Sequence, residues 1–223
     1  MAVICHEEMI TGLQLWEDNE ARAPAEQMAV DEALLLRSCL PVVRFYRWAA
    51  PSVTFGYAQR YSDVCASART LPAIRRWTGG GMVFHGEDLT MALAVPGAGA
   101  LCRLQAERVY ERIHRALLSV ADEIYPGARL AQPGDCRPGP ACFESPALND
   151  ILHGGRKICG GALRRSRGGV LYQGSLHGSF SAMSLAQSLS GSVVRFEPGD
   201  DLLELCASLS KEKYETRSWN QMR

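Results

Sequence analysis

Arg75-Arg76-Trp77-Thr78-Gly79-Gly80-Gly81-Met82-Val83-Phe84-His85 is the stretch whose reading directs the rest of the chain. Three successive glycines let a backbone approach a ligand closely and aim several N–H groups at one acceptor. The two arginines before them add fixed positive charge suited to a carboxylate or phosphate. The segment is not a P-loop, because no Gly-Lys-Ser/Thr follows. The apolar Met82-Val83-Phe84 predicts a strand rather than the helix that a dinucleotide fingerprint needs. The plain alternative is a flexible hairpin with solvated arginines, against which the flanking Arg-Arg pair and His85 both speak.

Two further segments carry chemistry. Gly154-Gly155-Arg156-Lys157-Ile158-Cys159-Gly160-Gly161 sets a lysine at the mouth of a strand between glycine pairs. Such an ammonium can clamp an anion, or lose its proton if it is desolvated beside other cations. Cys142 lies in Pro140-Ala141-Cys142-Phe143-Glu144-Ser145-Pro146. A thiol there is a nucleophile only if it is accessible and ionised, and most lone loop cysteines are neither. Cys136, Cys142, Cys159 and His153 match no zinc spacing, so no metal is expected. Gly174-Ser175-Leu176-His177-Gly178 has its serine one place too early for a hydrolase elbow.

Around these segments the pattern predicts an α+β domain. Ala25 to Leu36 follows Pro24 without a helix breaker and reads as a helix. Val109, Ile113, Ala116, Leu117 and Val120 fall at helical spacing within Leu104 to Ala121. Val42 to Trp48 and Ser52 to Tyr57 read as two strands about a turn at Ala49-Ala50-Pro51, and Thr90 to Pro96 as a third. Pro126 to Pro146 reads as a long functional loop. Asp150 to Leu152, Lys157 to Arg164 and Gly169 to Leu176 read as strands, and Met183 to Leu189 and Asp201 to Leu209 as helices, the last opened by an Asp cap.

The 223 residues are 47% hydrophobic and 22% charged, near the values of ordinary globular domains, which argues against disorder and coiled coil. Lysine and arginine number 24 and acidic residues 24, so the protein is not built to coat nucleic acid. Eight scattered cysteines without a C-x-x-C pair, an N-terminus unlike a signal peptide, and no apolar run near the ~18 residues of a membrane span predict a reducing cytoplasm and no membrane partner.

Taken in order, the segments resemble the biotin/lipoate protein ligase superfamily, in its lipoate ligase and octanoyltransferase branch. The likeness runs through Met28-Ala29-Val30-Asp31-Glu32-Ala33-Leu34-Leu35, Arg44-Phe45-Tyr46-Arg47-Trp48, Arg75 to His85, Asn149-Asp150-Ile151-Leu152, Gly155 to Gly160, Gly169 to Leu176 and Trp219-Asn220. It implies one catalytic domain over residues 1–223, a mostly antiparallel mixed sheet flanked by helices, and an acyl tunnel under the glycine loop. It also implies an acceptor lysine on a lipoyl domain of a 2-oxoacid dehydrogenase or glycine cleavage H protein.

Two activities stay open. Cys142-Phe143-Glu144-Ser145-Pro146, upstream of Gly155-Arg156-Lys157, resembles the cysteine context of octanoyltransferases. There Cys142 takes the acyl group from octanoyl–acyl carrier protein without a cofactor, and Lys157 assists. The expected absence of a C-terminal accessory domain fits that reading. Asn149-Asp150 instead resembles ATP-dependent ligases, which join free lipoate through an adenylate. In that case Lys157 binds carboxylate and phosphate, Asp150 holds Mg²⁺ or nucleotide, and Cys142 is a bystander. The resemblance implies that Arg75, Arg76, Thr78, Gly79, Gly80 and Gly81 close over the acyl chain or its adenylate, with His85 beside them; in the transferase reading N–H groups near Gly160 and Gly161 hold an oxyanion. A third, non-catalytic reading is a lipoyl-domain-binding module. Arg156, Lys157, Arg164, Arg165 and Arg167 form the basic edge expected to steer an acidic acceptor.

Overall fold

The computed structural model describes residues 10–97, 99–136 and 145–222. Along them run β1 (Leu13–Asp18), α1 (Pro24–Arg37), β2 (Val42–Tyr46), β3 (Ser52–Phe55), α2 (Tyr61–Ala68), β4 (Ala73–Arg75), β5 (Val83–His85) and β6 (Leu89–Pro96). Then come α3 (Ala100–Arg103), α4 (Ala106–Ile124), β7 (Arg129–Leu130), β8 (Ile151–His153), β9 (Arg156–Ser166) and β10 (Gly169–Leu176). The last are α5 (Ala182–Leu189), β11 (Val193–Arg195), α6 (Asp200–Leu209) and α7 (Arg217–Asn220), with a π-helical turn at Ser210–Tyr214.

Eight strands form one sheet in the order β11-β1-β2-β6-β10-β9-β8-β7, and β4-β3-β5 form a second, smaller sheet. In the large sheet β1 is parallel to both its neighbours, and every other pairing is antiparallel. The expected α+β class, a mostly antiparallel mixed sheet flanked by helices, is what the chain adopts. Among the described residues no helix is long and apolar enough to cross a membrane.

Strand alternation divides the large sheet into two unlike faces. On one face Val43 and Phe45 (β2), Leu89, Met91, Leu93 and Val95 (β6), and Val170, Tyr172 and Leu176 (β10) pack on Val109, Ile113, Leu117 and Val120 of α4 and Leu185 and Leu189 of α5. That layer is the main core, and it uses the helical stripe read from the sequence. The opposite face carries Arg44, Tyr46, Thr90, Ala92, Ala162, Gln173, Ser175 and Gly160, which are small or polar. It faces α1, whose Met28 and Ala29 pack with Tyr46 and Ala92. Glu26 accepts the Ala23 N–H at 2.7 Å and, with Pro24, sets the start of α1.

Three expectations are corrected. Val42 to Trp48 and Ser52 to Tyr57 do not form a hairpin, because β2 enters the large sheet while β3 heads the small one. Helix α6 is capped by the backbone of Gly199 rather than by an aspartate, with Asp200 and Asp201 in its first turn. The Pro126–Pro146 region is not all loop: β7 pairs with β8 there, and a 3-10 turn spans Pro133–Asp135.

On the α1 side the packing is polar. Arg44 is fully buried; its Nε donates to Asp18 at 2.8 Å and its Nη1 to Asp31 at 2.6 Å. Its guanidinium lies 4.0 Å over the Tyr46 ring, and Tyr46 donates its hydroxyl to Asp31 at 3.0 Å. Burial alone would raise the Asp18 carboxyl, but Arg44 and Arg22 outweigh it and hold the group below the usual range. Asp31→Ala leaves Arg44 paired with Asp18 but strips the buried Tyr46 and Gln173 donors of their acceptor; it is expected to lower the unfolding free energy in urea by about 1–3 kcal/mol. Arg115→Ala, which breaks only the exposed pair with Glu111, should cost under about 0.5 kcal/mol.

Candidate active site

Between the α1 side of the large sheet and the small sheet lies a narrow, mostly apolar cavity, part of it open to solvent. Its floor is Gly160, Ala162, Gln173, Gly174, Ser175 and Thr90, its roof Thr54, Arg76, Val83 and His85, and Met28, Tyr46, Trp48 and Lys157 complete the wall. The lining suits an apolar ligand with one polar end.

Lys157 is the charged group at one end, its side chain 1% exposed and its Nζ 2.7 Å from Asp150 Oδ2. A bulge aims it. Ile151 pairs with Cys159 and Leu152 with Lys157, so β9 spends one residue more than β8 here. The extra residue turns Lys157 out of strict alternation and lays its chain across Gly160. A Cβ on Gly160 would sit 2.0 Å from Lys157 Cε and 2.4 Å from Nζ, so a larger residue there would push the lysine off this path.

Asp150 holds the lysine and is itself held. Its Oδ2 also accepts the Ala147 N–H at 2.6 Å, and its Oδ1 accepts the Tyr110 hydroxyl. Tyr110 in turn accepts the Gly161 N–H at 3.0 Å. Burial, and then the Asp150 charge, raise the Tyr110 phenol far above its ordinary value, so it stays a neutral donor. Tyr110 had no signal in the sequence beyond its place on a helix. Asn149, at φ 68°, lets the chain turn into Asp150 and does not line the cavity.

The glycine loop is fixed from below. Arg76 donates through Nη1 to Thr54 Oγ1 at 2.7 Å and through Nη2 to the carbonyls of Gly79 and Gly81 at 3.0 and 2.8 Å. Thr78 donates to Gln173 Oε1 at 2.7 Å, and Gln173 donates to Asp31 at 2.7 Å, which ties the loop to α1. Gly80, at φ +82°, folds its carbonyl over Gly56, where a Cβ would lie 1.9 Å from that oxygen. Of the expected segment, Arg76 and His85 line the cavity, whereas Thr78, Gly79, Gly80 and Gly81 lie behind Arg76 and are not among the lining residues.

His85 sits in a closed hydrogen-bond set. Its Nδ1 is 2.8 Å from Asp88 and its Nε2 2.8 Å from Thr54 Oγ1, while Ser175 donates to Asp88 at 2.6 Å. Burial lowers the His85 pKa despite Asp88, so the ring is neutral at pH 7. The donor order Arg76 to Thr54 to His85 to Asp88 then assigns the proton to Nδ1. Both ring nitrogens are engaged, which makes His85 a roof support rather than a base.

Several expected roles change. Arg75 does not reach the cavity. It stacks 4.8 Å over Phe55, and its five N–H groups go to the carbonyls of Tyr57, Gln59, Trp219, Asn220 and Met222, clasping the final helix. The Gly161 N–H is taken by Tyr110 and does not serve an oxyanion. Asp150 is the lysine's partner, so its carboxylate does not present the open face that Mg²⁺ would need. Among the described residues no three His, Cys, Asp or Glu side chains are grouped to hold a metal ion. The basic edge is dispersed as well: Lys157 is buried, and Arg164 lies 4.7 Å over both Tyr57 and Trp77. Arg156 and Arg165 stand roughly 30 Å apart along β9. Cys142 lies outside the described residues.

A sheet face cleared of bulk, with a buried lysine at the end of an apolar cavity, is the frame of an enzyme that handles an acyl group. The lipoyl protein ligase A/B catalytic domain model matches residues 23–198, and the chain belongs to that family. The octanoyltransferase LipM of Moorella thermoacetica is 31% identical over 173 residues, 71% of this chain and 63% of that protein. LipM of Bacillus cereus is 28% identical, and the alignment covers 89% of this chain and 94% of that protein. Among solved structures, lipoate-protein ligase A bound with ATP superposes with a TM-score of 0.72 at 20% identity, covering 93% of this chain and 98% of that one. A bipartite lipoate protein ligase from Thermoplasma acidophilum, studied with its E2 lipoyl domain, gives 0.64 at 19%, covering 93% and 95%. At these identities the structures share the fold.

Beneath the floor, His114 stacks on Tyr110 at 4.0 Å and lies 2.8 Å from the Tyr172 hydroxyl. Burial, and then Lys157, lower its pKa to about 3 from 6.5. Between those values the unfolded chain binds a proton that the folded one refuses, so stability falls as pH drops from 6.5. His114 contributes up to about 1.4 kcal/mol per pH unit to that fall. Urea unfolding between pH 6.5 and 5 should show this loss, and His114→Gln should show a shallower slope.

Proposed function

We propose that this protein transfers an octanoyl group from octanoyl–acyl carrier protein to a lysine of a lipoyl domain, through a thioester on Cys142. The carrying observation is the pair Lys157–Asp150 at the end of a mostly apolar cavity, where an acyl chain can lie with its carbonyl against the ammonium. The likeness to LipM octanoyltransferases supports the same reaction.

Chemistry on the chain's own residues runs in two steps. The Cys142 thiolate, its proton given up on ionisation, attacks the donor thioester carbonyl; the bond to the donor sulfur breaks, and that sulfur leaves as a thiolate that takes up the released proton. The neutral acceptor amine then attacks the Cys142 thioester, the C–S bond breaks, and the proton lost by the amine is taken up by the departing Cys142 thiolate. Lys157 stabilises the oxyanion of each tetrahedral intermediate. The described residues flanking the Cys142 segment support its role. Asp135 and Pro146 line one groove with Lys157 and His177, and Cys142 is four residues from Pro146, within roughly 14 Å of chain. Cys159, though close to Lys157 and Asp150, is a poor nucleophile because burial pushes its thiol up to about 12.

The ligase reading, which adds ATP and Mg²⁺ and joins free lipoate, has the fold of the ATP-bound ligase in its favour. Against it, Asp150 is already engaged by Lys157, Tyr110 and the Ala147 N–H. The protein is taken to act in the cytoplasm as one catalytic domain.

Incubation with octanoyl–acyl carrier protein should add one octanoyl group by mass spectrometry without ATP, and Cys142→Ala should abolish both that gain and transfer. Full activity of Cys142→Ala with an ATP requirement would overturn the transferase and favour the ligase. Lys157→Arg, which keeps the charge but cannot follow the bulged path across Gly160, should lose roughly 10²-fold or more in kcat. Near wild-type turnover would remove Lys157 from either mechanism.

A further inference from the structure

Lys157 borders two spaces. One is the cavity, and the other is a surface groove lined also by Gly134, Asp135, Leu152, Arg156 and His177. Among the described residues no other side chain lines both. An acyl group whose carbonyl meets the lysine therefore has its hydrocarbon chain in the cavity. Whatever is bonded to the far side of that carbonyl leaves through the groove. In a thioester donor that group is the sulfur-bearing arm of the carrier.

The groove's outer end is a tight turn. Gly154 and Gly155, at φ 56° and 77°, join β8 to β9 and set His153 directly opposite Arg156. Cross-strand partners share a face, so the two side chains stand together. His153 is propped on the Tyr125 ring at 5.4 Å. Arg156 is exposed, and among the described residues it makes no ion pair. The groove's other formal charges are already matched, Lys157 by Asp150 and Asp135 by Arg129. Arg156 is thus a cation without a counter-charge at the mouth of a path that ends on Lys157.

An acyl carrier protein holds its cargo on 4′-phosphopantetheine, whose phosphate stands roughly 16 Å from the acyl carbonyl when the arm is extended. Lys157 Nζ lies at Gly160, and Arg156 is set back from Gly160 along β9 by roughly 12 Å. The reach of the arginine side chain covers the remainder. A guanidinium meets a phosphodiester with two parallel charge-assisted hydrogen bonds. We propose that the groove receives the phosphopantetheine arm of the acyl donor and that Arg156, with His153 beside it, holds the arm's phosphate. The inference rests on the acyl-transfer reading and adds the donor's path to it. In an acyl-adenylate the phosphorus is separated from the carbonyl by a single oxygen and would lie at Lys157, so a phosphate at Arg156 belongs to a long arm.

The test offers octanoyl-4′-phosphopantetheine and octanoyl-pantetheine, which differ only in the phosphate, as donors to a lipoyl domain. Wild type should prefer the phosphorylated donor in kcat/KM, and Arg156→Gln should cut that preference at least threefold. Arg167→Gln removes the same charge at the far end of β9 and should cut it less than threefold. No preference in wild type, a smaller cut in Arg156→Gln, or a threefold cut in Arg167→Gln overturns the proposal. If wild type transfers from neither donor, calorimetry with 4′-phosphopantetheine and pantetheine decides. A binding preference that Arg156→Gln cuts threefold then leaves the phosphate site standing while the transfer reading fails; no such preference overturns both. Arg156-dependent binding of AMP as tight as that of 4′-phosphopantetheine would give the site to a nucleotide and overturn the proposal.

Discussion

One carboxylate, Asp31, fixes the face on which the site is built. It sits on α1 with no solvent, and its two oxygens accept from Arg44, Tyr46 and Gln173. A bare carboxylate there would be expensive; the arginine and two neutral donors recover part of the loss of water, and burial still leaves the Asp31 carboxyl above its usual range. Each partner reaches on. Arg44 extends to Asp18 at the end of β1, and Gln173 extends to Thr78 before the glycines. Helix α1, three strands of the large sheet and the ligand loop are thus registered against one another by hydrogen bonds whose geometry tolerates little slip.

That registration matters because the cavity-side face gives up packing. Gly160, Ala162, Ala92, Thr90 and Ser175 bury little apolar area where the other face of the same strands carries Val, Leu, Met and Tyr. Apolar packing comes instead from the α4–α5 layer on the opposite face, and the Arg75 clasp ties down the last helix. The division leaves room for a chain of methylenes without leaving the sheet unsupported.

Much of this was legible in the sequence. The stripe Val109, Ile113, Leu117 and Val120 announced α4, and the β-branched and aromatic runs announced β2, β3, β6 and β10. Lys157 between glycine pairs reads as an accessible ammonium able to clamp an anion, but the structure buries it across Gly160 against Asp150. The failures have physical causes. Arg75 and Arg76 read as one basic element, yet successive residues leaving a strand point to opposite sides, so one clasps the C-terminal segment and the other meets the cavity. The bulge that aims Lys157 depends on a register between β8 and β9 that no local pattern encodes. Tyr110 reaches Asp150 across 40 positions, and Trp48 meets His85 across 37. Such partners emerge only when the strand order is known.

The same logic explains why the lysine comes with its carboxylate. An ammonium alone at the end of an apolar cavity would repay its desolvation poorly, and a net charge there would hold water where an acyl chain must lie. Pairing with Asp150 makes the cavity end neutral while leaving a strong donor at a fixed place. Tyr110 and the Ala147 N–H hold that carboxylate from behind, so in the proposed reaction it would stay in place as an oxyanion drew the lysine. A donor held from behind is aligned before charge develops, and that prior alignment is what gives electrostatic stabilisation its catalytic weight. The phenol that supplies it comes from α4, the helix of the main core, so the packed face of the sheet reaches through between β8 and β9 to fix the reacting end of the open one.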